Sequence, residues 1–188
     1  MTTTQATSPS TFSQALRRLY LLRFAFAVVW SGLLFTTSTM AGPILTIVLI
    51  VYPLFDAGAV LWQLRAERDS QRSKATEWVN VVVSVLVAIA LGVASTVSIA
   101  AALAVWGAWA IGSGVPQLIT AVRNRRSGGQ VPQMLSGGIS VLAGGAFLSQ
   151  GLQGAADIVG VAGYATIGGL FFLISAIRLS IVMRKHAA

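Results

Sequence analysis

The chain has 188 residues, 55% of them hydrophobic, with 13 basic and 5 acidic residues and a mean hydropathy of +0.78. Charged residues make up 10% of it, against roughly 25% in a soluble domain, and the apolar content excludes a disordered chain. With no cysteine and one histidine, His186, a disulfide framework, a thiolate zinc site and a cysteine nucleophile are excluded. The composition is that of an integral membrane protein.

The first residues, MTTTQATSPSTFSQAL, are rich in Thr, Ser and Gln. They read as a disordered lead-in over residues 1–18. Beyond them, residues 24–55, 78–122, 127–156 and 158–177 contain no Asp, Glu, Lys or Arg. A bilayer core about 30 Å thick needs about 20 apolar residues per helix at a rise of 1.5 Å. The second window is therefore two spans and a tight turn. The first, slightly extended, divides at Thr36-Thr37-Ser38-Thr39 before Gly42-Pro43. The expectation is an all-α, polytopic protein with a single membrane domain over 19–185 and six transmembrane helices, at about 19–39, 43–64, 78–96, 98–122, 131–150 and 157–182.

The basic residues orient it. Arg17, Arg18 and Arg23 precede or open the first helix, and Arg65, Arg68, Arg72 and Lys74 separate the second from the third. Arg123, Arg125 and Arg126 follow the fourth, and Arg184 and Lys185 follow the sixth. The opposite loops contain one acid, Asp157, and no Lys or Arg. By the positive-inside rule both termini are cytoplasmic. This layout also accounts for a pI of 11.4 without nucleic acid. The expected partners are anionic lipid headgroups at the basic rim, with a homo-oligomer as a further option.

Internal repetition is visible. Even-numbered helices carry a polar then a small residue nine or ten positions before an arginine: Asp56-Ala57 before Arg65, Ser113-Gly114 before Arg123, Ser175-Ala176 before Arg184. Odd-numbered helices carry a later glycine: Gly32, Gly92 and the pair Gly144-Gly145. A two-helix hairpin of some 60 residues, used three times in parallel, explains this pattern. With these features the chain resembles the HdeD-like acid-resistance membrane proteins over roughly residues 19–185. Ser175-Ala176-Ile177-Arg178 looks like that family's small-residue, Ile, x, Arg run, with Ala for the usual Gly, while Pro116 and Ala57 depart from its pattern. The resemblance implies a bacterial inner-membrane protein linked to acid stress, with no assigned reaction.

Asp56 is the one acid inside a predicted span, about 13 Å from Arg65 along the helix. An ionised carboxylate at that depth must be paired, protonated or facing a wet cavity. It is either a proton-sensitive site or part of an ion path, or else a polar contact that fixes helix packing. Arg178 lies about 9 Å inside the end of the last helix. It either snorkels to the headgroups or pairs with Asp56. Polar lining for a path is sparse in this reading: chiefly Asn80, Ser84, Gln117, Thr120 and Thr166. Pro53 and Pro116 predict kinks.

Gly32, Gly92, Gly112, Gly114, Gly144 and Gly145 are the expected close-packing positions, several of them on faces with small residues four apart. No metalloprotease, phosphate-loop or nucleophile-elbow motif occurs. The expectation is a non-enzymatic protein with no catalytic, cofactor or metal site. Its leading role is in the acid or envelope stress response, with proton sensing through Asp56. The alternatives are a small transporter or channel and an oligomeric membrane scaffold.

Overall fold

A computed structural model of the protein describes residues 9–66, 75–123, 125 and 131–185. It contains six helices: α1 (Pro9–Thr37), α2 (Pro43–Ala66), α3 (Ala75–Val97), α4 (Ile99–Arg123), α5 (Val131–Leu152) and α6 (Val159–Lys185). All six are long and apolar enough to cross a membrane. Five begin and end within three residues of the expected spans. The first does not: α1 starts at Pro9, so residues 9–18, expected to be a disordered lead-in, are helical. Proline suits a helix start, because its fixed φ is helical and its missing N–H would have had no partner there. Arg68, Arg72, Lys74, Arg126 and His186, counted above as basic-side or terminal residues, lie outside the described residues.

Local chemistry sets the turns. At the end of α1, Thr36, Thr37 and Ser38 donate their hydroxyls to carbonyls one turn back. A single residue joins α3 to α4: Ser98 closes α3 through its N–H to the Ala94 carbonyl, and its Oγ accepts the Ala101 N–H as N-cap of α4. After α5, Gly154 has φ +81°, its N–H bonds the Gly151 carbonyl and the Ala155 N–H bonds the Gln150 carbonyl. This Schellman cap needs the left-handed residue that glycine supplies without a Cβ penalty. Asp157 then caps α6 through the Val159 N–H at 3.1 Å.

The helices are sorted as a lipid solvent requires. Along α3 the exposed stripe is Val79, Val82, Leu86, Ile89 and Val93, while the buried stripe includes Ser84, Ala88, Ala94 and Ser95. Bulky apolar residues cover the outward face, while four of the six buried residues are small, the others being Val81 and Leu91, since lipid gives apolar side chains no reason to hide and packing rewards close approach. The most extensive interface is α4 with α5, followed by α1 with α6 and α2 with α3. The α1–α2, α3–α4 and α5–α6 interfaces are lighter. Extensive and light interfaces thus alternate, and α1 against α6 closes the bundle. The main neighbour of each helix lies outside its expected hairpin.

Glycines seven apart explain the α4–α5 interface. Gly107 and Gly114 of α4 face Gly137, Gly144 and Gly151 of α5. A Cβ on Gly144 would stand 2.8 Å from the Gly107 carbonyl oxygen, and one on Gly114 would stand 3.0 Å from that of Gly137. Of the expected packing positions, Gly114 and Gly144 belong to this seam, and Gly92 meets Ile50 of α2, its Cβ position 3.1 Å from Cδ1. Gly32, Gly112 and Gly145 do not pack: a side chain at each would meet open space. They occupy exposed positions of their helices. The helices α2 and α4 run on through Pro53 and Pro116.

Candidate functional site: a polar chamber at one end of the bundle

The bundle has two unlike halves. In the half distant from the start of α1 and the end of α6, Leu34, Leu45, Leu49, Leu91, Leu103 and Val161 are fully buried in a continuous apolar core. In the other half lies a chamber of about 450 Å³ lined by residues of all six helices. Its position follows from the lining: the first halves of α1, α3 and α5, and α2, α4 and α6 from Tyr52, Trp106 and Tyr164 onward, so it runs from the end that carries the basic residues to the middle of the bundle.

Asp56 is in its wall, with a quarter of its side chain exposed. Antiparallel packing of α1 on α2 puts Phe26 on Phe55, with ring centroids 3.7 Å apart, and brings the Trp30 Nε1–H to the Val48 carbonyl at 2.6 Å. The same register sets Arg23 opposite Asp56, Nη2 to Oδ1 3.4 Å. The other carboxylate oxygen, Oδ2, accepts hydrogen bonds from Asn80 Nδ2 and Ser84 Oγ of α3, each 3.1 Å. One carboxylate oxygen thus faces a charge without a directed hydrogen bond, and the other accepts two donors.

The contact of Arg23 with Asp56 is an ion pair without hydrogen-bond geometry, and Arg23 Nε and Nη2 are buried with no hydrogen-bond partner. Its guanidinium lies over the Phe172 ring of α6, 5.2 Å from the centroid. Two further side-chain pairs carry the chamber's polarity. Ser140 Oγ and Tyr164 Oη are 2.8 Å apart, tying α5 to α6, and Gln117 Nε2 donates to Gln133 Oε1 at 3.1 Å across α4 and α5. At the inner end Trp106 is 1% exposed, stacked on Trp30 and edge-on to Tyr52 and Trp109. Its Nε1–H has no acceptor in the protein.

Of the two readings of Arg178, the pair with Asp56 is not formed; Arg23 takes that place. Arg23 reads in the sequence as an orienting charge at the mouth of the first helix. It is fourteen residues into α1 because that helix starts at Pro9. Arg178 lines the same chamber from α6 and is exposed. The expectation of a sparse polar lining is also corrected. Asn80 and Gln117 do line the chamber, but Thr120 and Thr166 are exposed on the outer surface. Tyr52, Trp106, Gln133, Ser136, Ser140 and Tyr164 join them. Their signal was helical spacing: Gln133, Ser136 and Ser140 in α5, and Tyr164, Gly168, Phe171, Ser175 and Arg178 in α6, recur every three or four residues.

Among the described residues no three of His, Cys, Asp and Glu cluster as metal ligands. What the arrangement offers is a pocket of ligand size, with aromatic walls, hydroxyl and amide groups, and two arginines beside one carboxylate. No curated protein and no solved structure matches the chain. Residues 79–149, from the first turns of α3 through most of α5, match the family described as a short repeat of unknown function, DUF308, which is consistent with the resemblance to HdeD-like proteins.

Proposed function

We propose that this is a non-enzymatic, multi-pass protein of a bacterial inner membrane, both termini cytoplasmic, whose six helices form a chamber that takes up a small polar solute from the cytoplasmic side. In this reading three hairpins arranged in parallel build the chamber, each giving it one odd and one even helix; the alternation of extensive and light interfaces supports that repeat. The observation that carries the function is the polar chamber itself, with Asp56 and Arg23 in its wall and an apolar core behind it. A cavity open at one end and sealed at the other is the loading state expected of a small transporter. A continuous channel would need a polar route through the buried leucines.

The chain has no cysteine, so single cysteines report access directly. Ser136→Cys in the chamber is expected to react with a membrane-impermeant thiol reagent in inverted membrane vesicles and not in spheroplasts. Ala162→Cys, in the apolar core, is expected to resist from both sides. Labelling of Ser136→Cys from the outside only would reverse the orientation, and silence from both sides would remove the chamber reading.

A second reading is favoured by the engagement of Asp56. Protonation would cancel its charge and release Arg23, changing how α2 sits between α1 and α3. The resemblance to HdeD-like proteins and the short-repeat match are consistent with such a role in acid stress. A deletion strain complemented with Asp56→Asn is then expected to survive acid worse than one carrying an equally abundant wild-type protein; equal survival would leave Asp56 a packing residue. Anionic headgroups around the basic rim and self-association belong to the same proposal.

A further inference from the structure

We propose that a groove between α1 and α2 binds one anionic phospholipid from the leaflet at the basic end, its acyl chain over Gly58 and its phosphate on Arg18. The inference rests on the reading of the basic rim as a headgroup level and adds a defined site to it.

The groove encloses about 420 Å³ and shares no lining residue with the chamber. Leu19 and Leu22 of α1 and Phe55 and Gly58 of α2 border it, with Arg18 and Trp62 at one end. It exists because the α1–α2 interface is light and because Gly58 has no side chain to fill it. Gly58 is exposed, and a Cβ there would meet nothing within 4 Å. Phe55 is held by its stacking on Phe26, and Leu19 is buried, whereas Leu22 and Trp62 are exposed. The hollow therefore faces the bilayer, and an empty one would forfeit the contacts of its lining atoms.

Charge complementarity selects the occupant. Lipid tails are as apolar as the groove, so a chain gains only packing there, and the headgroup decides which lipid stays. The register set by Arg23 on Asp56 and Phe26 on Phe55 puts Arg18 level with Trp62. Trp62 is four residues from the end of α2, where a tryptophan marks the boundary between hydrocarbon and headgroups. Arg18 is exposed, and among the described residues no carboxylate pairs with it. A guanidinium at that level, above an apolar furrow, matches a molecule with a phosphate at its head and a chain below. A net negative headgroup gains more there than a zwitterionic one, whose own cation competes with the arginine.

The test uses the full chain in nanodiscs of phosphatidylcholine containing a small fraction of a photoreactive lipid with a diazirine midway along one acyl chain. The probe has either a phosphatidylglycerol or a phosphatidylcholine headgroup. Labelling of residues 19–22 and 55–62 is expected to favour the glycerol probe about fivefold, the worth of one arginine near an anionic surface, while labelling around Leu86 of α3, exposed in mid-helix, shows no preference. Arg18→Gln is expected to bring the groove ratio close to one. Gly58→Phe, whose ring enters open space, is expected to abolish groove labelling by both probes, and Gly32→Phe, at an equally open position outside the groove, to leave it unchanged. Equal groove labelling by the two probes, with the glycerol probe still enriched near Arg123, would overturn the site and leave the basic rim standing. Groove labelling that survives Gly58→Phe would overturn it as well. Capture of Gly58→Cys as a disulfide-linked dimer, at the expense of lipid labelling, would assign the groove to a second copy instead. None of these results depends on thiol access to position 136, so groove and chamber stand or fall separately.

Discussion

Gly144→Val is expected to destabilise the bundle by about 3 kcal/mol, the upper part of the range for overpacking, while Gly145→Val one position on leaves stability nearly unchanged. The two substitutions have the same intrinsic helix propensity in the same helix, so propensity cancels in the comparison. What differs is the neighbour. A Cβ on Gly144 would lie 2.8 Å from the Gly107 carbonyl oxygen and 2.8 Å from the Ile111 backbone nitrogen. Backbone cannot rotate out of the way as a side-chain tip can, so the helices must part. A Cβ on Gly145 meets nothing within 4 Å and points to an exposed surface. Parting α4 from α5 opens the most extensive interface of the fold and separates Gln117 from Gln133 at the chamber wall. Thermal unfolding of both variants in the same detergent, followed by near-UV circular dichroism of the tryptophans, checks this. Equal midpoints for the two variants would mean the glycine seam is not what holds these helices.

The seam also shows where sequence reasoning succeeds and where it stops in a membrane protein. Helix number, boundaries and the membrane solvent were legible because the bilayer imposes a length and excludes charge, and both are countable along the chain. Which glycines pack was not legible from a spacing of four, since such pairs occur on every face of an apolar helix. Gly107 and Gly114, and Gly137, Gly144 and Gly151, share a spacing of seven that keeps one face against a partner for about two turns of α4 and about four of α5. That spacing was present in the sequence and carries more information than any single pair. Asp56 stood out because it was alone among apolar residues. Arg23 did not, because an arginine near a helix start has an ordinary explanation as an orienting charge. Its role depends on the register of α1 against α2, set by Phe26 on Phe55 and Trp30 on Val48. Tertiary register of that kind has no one-dimensional signature. The chamber is similar: each helix contributes a few polar residues at helical spacing, and only their convergence makes a site.

Removing one member of the Asp56–Arg23 pair is expected to cost more than removing both. Arg23→Leu leaves a carboxylate that is three-quarters shielded with two neutral donors and no countercharge, and Asp56→Leu leaves an arginine 14% exposed without its anion. Breaking a buried pair from one side costs about 3–5 kcal/mol, whereas replacing both partners by apolar groups is often close to neutral. The pair here is partly wetted by the chamber, so the lower end, about 3 kcal/mol for each single substitution, is the expected value. The double variant should lie within about 1 kcal/mol of the wild type, giving a strongly non-additive cycle. Stability therefore does not explain why both charges are there, since an apolar pair of similar size would hold α1 to α2 as well. Their value is positional. Asp56 holds Arg23 at the chamber wall by charge, an arrangement that a leucine pair cannot reproduce. The double variant should accordingly be folded and abundant. Additive single effects would show that the two residues do not act on one another.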